Sequence, residues 1–113
     1  MKRVIAIIRP VMVDEVVAAL HRVENFPGAI MTDVKGIRRG THQRVSEHRE
    51  PLTIVLPNYI RIEIICSDDM VSSLVEAIRT SAHTGKGGDG KIFMSSVVAA
   101  VRIQDGQTDG NAI

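Results

Sequence analysis

With 113 residues the chain has room for one small domain. Hydrophobic residues make up 44% of it, yet it has one tyrosine, two phenylalanines and no tryptophan, so the core must be built from Val, Ile, Leu, Ala and Met. A formal net charge of +1 gives no global attraction to nucleic acid or anionic membrane, and a single cysteine, Cys66, excludes an intrachain disulfide.

Val4 to Ile8 is a continuous apolar run rich in β-branched residues, as expected of a strand covered on both faces. Arg9 and Pro10 end it after five residues, too short for a signal sequence or a membrane span, which points to a cytoplasmic protein without direct membrane insertion. Val13, Val16, Val17, Leu20 and Val23 then recur at helical spacing, with Asp14 and Glu15 in the first turn, where the helix dipole favours negative charge. Phe26-Pro27-Gly28 stops that helix, and Ala29 to Gly36 reads as a second strand with Ile30, Thr32 and Val34 on one face.

Between residues 37 and 51 the pattern dissolves into Gly40, Thr41, His42, Gln43, Arg44, Ser46, Glu47, His48, Arg49 and Glu50. A polar segment of this length inside a small domain is usually functional or disordered. Lys35, Arg38, Arg39, Arg44 and Arg49 concentrate positive charge there. Leu52, Ile54 and Leu56 resume an alternation that Pro57-Asn58 interrupts and Ile60, Ile62, Ile64 and Cys66 continue, with Arg61 and Glu63 on the opposite face. Ser67-Asp68-Asp69 offers an N-cap to a second amphipathic helix carrying Met70, Val71, Leu74, Val75 and Ile78. Ile92 to Ile103 is expected to form the last strand, and residues 104–113 a C-terminal tail in which Asp105-Gly106 turns the chain and Gln107 to Ile113 are polar and mobile.

This order gives an α+β chain, a single ferredoxin-like βαββαβ domain over residues 1–113 with a long loop between strands 2 and 3. Two helices cover one face of a sheet. Ile5, Ile7, Ile62, Ile64, Val97 and Val101 cannot all point to that face, so self-association is the economical cover for the other.

The densest chemical signal is Thr84-Gly85-Lys86-Gly87-Gly88-Asp89-Gly90-Lys91, residues 84–91. Glycines let a backbone turn several N–H groups towards one anion, and Lys86 and Lys91 add charge. Gly85, Gly90 and Lys91 have Walker A spacing, but Ile92 stands where a magnesium-binding Ser or Thr belongs, and the loop follows a helix instead of preceding one. The run is therefore either a phosphate cradle of another kind or a plain glycine-rich turn. Asp89, between two glycines, suits a turn former. No dyad or triad spacing links the histidines, carboxylates and Cys66, so an enzyme is not expected. An RNA-recognition module is not expected either, because the central strands carry no ring for base stacking. His42, Glu47 and His48 form the one candidate metal set, with no regular ligand spacing, and no metal ligand is assigned.

Thr84 to Phe93 closely resembles the C-terminal signature of the PII (nitrogen-regulatory) signal-transduction family. Ile5-Ala6-Ile7-Ile8-Arg9-Pro10, Asp33-Val34-Lys35-Gly36 and Arg61-Ile62-Glu63-Ile64 resemble other blocks of that family, in order along nearly the whole chain. The resemblance implies a non-enzymatic homotrimer that binds an adenine nucleotide, ATP, ADP or AMP, between subunits, with Mg2+ accompanying ATP. It implies regulation of a target, a membrane transporter or a regulatory enzyme, through the loop at 37–51, with Arg44, Ser46, Glu47, His48 and Arg49 as partner-facing residues.

Carried over residue by residue, the nucleotide site comprises Gly36, Arg38 and Arg39 at the loop base and Thr84, Gly85, Lys86, Gly87, Gly88, Asp89, Gly90 and Lys91 in the glycine loop. Arg102 and Gln104 follow the last strand, and Ile30 and Ile65 flank the adenine. Family members usually carry Gln-Lys-Gly where this chain has Gly40-Thr41-His42, a lysine at Asn58, a second arginine at Gln104, a threonine at Ile30, and in many bacteria a tyrosine in the loop that is uridylylated. These departures argue against 2-oxoglutarate sensing and uridylylation and favour ADP or AMP over ATP. They leave open an alternative, a divergent regulator of a bicarbonate or metal transporter or a loop-based metal sensor. Ser46 has a setting that phosphorylation could use.

Overall fold

The computed structural model describes residues 1–37 and 57–113. The elements run β1 (Lys2–Ile8), α1 (Val13–His21), β2 (Ile30–Lys35), β3 (Asn58–Cys66), α2 (Val71–Ala82) and β4 (Gly90–Ser96). The four strands form one antiparallel sheet in the order β2-β3-β1-β4, the α+β ferredoxin-like arrangement expected from the element order. Each helix begins directly after a tight 3-10 turn, Pro10–Met12 before α1 and Asp68–Met70 before α2. Proline suits the first position, where its missing N–H costs nothing.

Strand register divides the side chains between two faces. Val4, Ala6 and Ile8 of β1 lie opposite Ile64, Ile62 and Ile60 of β3 and turn towards the helices. There they meet Val16 and Leu20 of α1 and Leu74 and Ile78 of α2 in the core. The other face carries Arg3, Ile5 and Ile7, the β3 residues Tyr59, Arg61, Glu63 and Ile65, and Lys91, Phe93 and Ser95 of β4. No helix covers it among the described residues. The apolar residues counted on at 5, 7, 62 and 64 are thus split, Ile62 and Ile64 inward, Ile5 and Ile7 on the open face.

Three expectations are corrected. β4 ends at Ser96, not near Ile103: Lys2, the first residue of β1, pairs with Ser96, Val97 N–H donates to the Met1 carbonyl, and no further described residue continues the ladder. Residues 104–113 are not a loose tail. Arg102 N–H donates to Gln107 O and Gly106 N–H to Arg102 O (each 2.8 Å), Val101 bridges Thr108, and a 3-10 turn at Asp109–Asn111 folds the end back. Ser67 precedes the 3-10 turn but makes no side-chain cap hydrogen bond.

Candidate functional site

Helix α2 ends at Ala82 and β4 begins at Gly90, so residues 83–89 must reverse the chain from the helix layer to the sheet. One side chain holds that reversal together. The Asp89 carboxylate accepts hydrogen bonds from Thr84 N–H (2.8 Å), Gly85 N–H (3.1 Å), the Thr84 hydroxyl and Arg9 Nε (3.2 Å). Arg9, at the end of β1, also donates through Nη2 to the Gly87 carbonyl, so one guanidinium spans the loop. The Thr84 hydroxyl oxygen in turn accepts from Lys86 N–H at 3.2 Å. The Thr84 hydroxyl first, then its N–H, with Gly85 N–H and Arg9, hold the Asp89 carboxyl down at about 2, against an ordinary 3.8. His83 Nδ1 stands 3.6 Å from the same carboxylate.

The backbone N–H groups of Thr84, Gly85 and Lys86 are therefore used inside the loop. The second half, Gly88 to Lys91, faces a cavity of about 390 Å³ at one end of the open sheet face. Gly36 and Ile37 line the same cavity from the end of β2, with Ile7, Tyr59 and Phe93 as its apolar floor. Gly36 N–H donates to Pro57 O at 2.9 Å and Lys35 pairs with Asn58, which ties the two ends of segment 38–56 beside this cavity. At Gly36 an added Cβ would lie 2.8 Å from the Tyr59 ring. A second cavity, about 370 Å³, lies on the helix side of β4 between Val75, Arg79, His83 and Met94, and does not reach the loop base.

A single chain thus brings together Gly36, Gly88, Asp89, Gly90 and Lys91 of the expected residues. Lys91 sits on the open face, exposed and in no ion pair among the described residues. Thr84, Gly85, Lys86 and Gly87 shape the loop without lining the cavity. Ile30 and Ile65 lie on the same open face but towards its other end: Ile65 is five residues beyond Ile60, the β3 residue level with Gly90, or roughly 16 Å at strand spacing. Arg102 and Gln104 belong to the C-terminal hairpin. Arg102 is paired bidentately with Asp105, Nη2 to Oδ2 at 2.6 Å and Nε to Oδ1 at 3.0 Å. Arg38, Arg39, Arg44, Ser46, Glu47, His48 and Arg49, with His42 of the metal alternative, lie outside the described residues.

Sequence reading missed Arg9, Ile7, Ile37, Tyr59 and Phe93 as parts of this site. Arg9 is one residue past Ile8, which pairs with Gly90, so the strand register alone carries the signal that puts it beside the glycine loop.

Fold and loop together define a ferredoxin-like domain whose glycine-rich turn runs from helix to strand, the reverse of a P-loop. The model of the family described as nitrogen regulatory protein P-II matches residues 1–107. Relatives bearing the name nitrogen regulatory protein P-II align over the full length of both chains: one from Azospirillum brasilense at 41% identity, one from Bradyrhizobium diazoefficiens at 40% and one from Rhizobium etli at 43%. The chain belongs to the nitrogen regulatory P-II family of signalling proteins. Those names lie on the nitrogen-regulatory side and do not favour the transporter-regulator or metal-sensor alternative. No described helix is long and apolar enough to cross a membrane.

Proposed function

We propose that this chain is a non-enzymatic, cytoplasmic homotrimer that binds adenine nucleotide between subunits and passes the bound state to a target protein through residues 37–51. One observation carries the reading: the base of the long loop and the glycine loop share a single cavity, so a phosphate chain lying there touches both. Lys91 supplies the cation, and the later half of the glycine loop supplies the close backbone approach. Ile30 and Ile65, distant from this cavity within one chain, serve the adenine of a neighbouring subunit's site, and Arg102 reaches phosphate from a neighbour in the same way. Arg38 and Arg39 add charge at the loop base.

Any Mg2+ is carried by ATP itself, because the carboxylate beside the cavity, Asp89, already accepts four hydrogen bonds. Asn58, paired to Lys35 at the loop base, offers no charge to a dicarboxylate. ADP and AMP are therefore expected to compete well with ATP, and 2-oxoglutarate is expected to leave nucleotide binding unchanged.

Calorimetry of the purified chain with ADP, AMP and ATP, with and without Mg2+ and 2-oxoglutarate, tests this. Lys91→Ala should lower ADP affinity by roughly 10–150-fold, the equivalent of one charged hydrogen bond of about 1.5–3 kcal/mol. No heat with any nucleotide would sink the reading. Strong synergy between ATP and 2-oxoglutarate would return the chain to dicarboxylate sensing.

A further inference from the structure

The side chain assigned to phosphate in the C-terminal hairpin already holds an anion. The Arg102 fork presents Nε and Nη2 to the two oxygens of Asp105, at 3.0 and 2.6 Å, the parallel arrangement in which guanidinium binds carboxylate or phosphate. Asp105 is itself anchored, since its Oδ1 also accepts Gln107 N–H at 3.1 Å. The hairpin bonds between Arg102 and residues 106 and 107 fix the turn that joins the two side chains. Each partner strengthens the other's charge: the guanidinium draws the Asp105 carboxyl below its usual range, and the carboxylate raises Arg102. Between residues 101 and 108 these are the only two charges, and they cancel.

We propose that Asp105 is a built-in competitor for nucleotide phosphate, occupying the edge of Arg102 that a phosphoryl group would take. Binding then exchanges one bidentate partner for another, and the hairpin sets nucleotide affinity by how firmly it keeps its own carboxylate. The inference rests on the reading of Arg102 as a phosphate contact given above. The pair is an exposed one, with 43% and 40% of the two side chains accessible. It therefore tunes the site without closing it, since exposed ion pairs contribute only a fewfold each. A phosphate with more charge than a carboxylate can displace it.

The test is ADP titration of the full-length wild type, Asp105→Asn, Asp105→Ala, Arg102→Ala and Arg102→Ala/Asp105→Asn, each first shown by circular dichroism to be folded. Both Asp105 variants should bind ADP roughly 2–5-fold more tightly than wild type. The gain should vanish in the Arg102→Ala background, which by itself binds more weakly than wild type. Unchanged or weaker binding by the Asp105 variants, with Arg102→Ala still impaired, overturns the competition and leaves the nucleotide site standing; weaker binding would make Asp105 a residue that orients Arg102. An Arg102→Ala variant that binds like wild type removes Arg102 from the phosphate site and the competition with it. Absence of ADP binding by wild type itself brings down the nucleotide reading, and the competitor falls with its ligand.

Discussion

At the scale of single residues, Asp89 shows how much of this site is internal bookkeeping of hydrogen bonds. Its carboxylate is the common acceptor for Thr84, Gly85 and Arg9, so the loop is pre-shaped before a ligand arrives, and less ordering entropy remains for binding to overcome. The pH dependence follows from the depressed carboxyl. The folded loop binds its proton near 2, the unfolded one near 3.8, so the contribution is fully present above about 3.8 and is lost as the pH falls towards 2. A carboxyl-carbon shift titration by NMR should give Asp89 a midpoint near 2; a midpoint at 3.8 or higher would mean that the loop is not held this way. Asp89→Ala should speed amide exchange at Thr84 and Gly85 by roughly an order of magnitude at neutral pH. An aspartate between two glycines was legible as a turn former, but its partner was not. Arg9 lies 80 residues away, and only the β1–β4 register brings it alongside.

At the scale of elements, the junction of β1 with β4 fixes where the glycine loop sits. Gly90 opens β4 opposite Ile8 with φ at +112°, and a Cβ there would lie 1.7 Å from the Ile7 carbonyl oxygen. Gly90→Ala must therefore part the two strands as well as adopt an unfavourable backbone. Strain of this kind costs about 1–3 kcal/mol before any steric displacement is added. The urea unfolding midpoint should drop by about 1 M or more, and an unshifted midpoint would contradict the close packing of Ile7 on Gly90. Element type and order were legible in the sequence because Val4 to Ile8 and Ile60 to Cys66 show strand patterns, while Val13 to Leu20 and Leu74 to Ile78 keep helical spacing. The end of β4 was not, since Val97, Val98 and Ile103 carry strand chemistry but find no partner strand among the described residues, while Val101 makes an isolated bridge to Thr108. Val98 and Ile103 are almost fully exposed, 97% and 100%, where sequence alone would bury them. Local pattern reports what a residue tolerates; pairing decides what it does.

At the scale of the whole molecule, the open sheet face is the feature that a single chain leaves unfinished. Ile30 and Phe93 on it are 68% and 55% exposed. Arg3 and Arg61 pair loosely with Glu63 across its middle, at 3.5 and 3.6 Å, and Arg61 Nε is buried with no hydrogen-bond partner among the described residues. A buried donor without an acceptor costs about 1–3 kcal/mol, so a surface that brings one is favoured over solvent-free isolation. An apolar face with a shielded orphan donor fits a second copy better than water, which is the cover that the proposed trimer would supply. Ile5 stands at the centre of the face, opposite Glu63 in β3 and Phe93 in β4, and makes no contribution to the buried core. Ile5→Asp should therefore spare the helix-covered core and its circular dichroism while setting a carboxylate beside Glu63 in any interface. Light scattering should show the mass fall from three chains towards one, with ADP binding lost in step because the adenine and phosphate ends then belong to separate molecules. Should the variant stay trimeric and keep its ADP affinity, the open face is not the surface that joins the subunits.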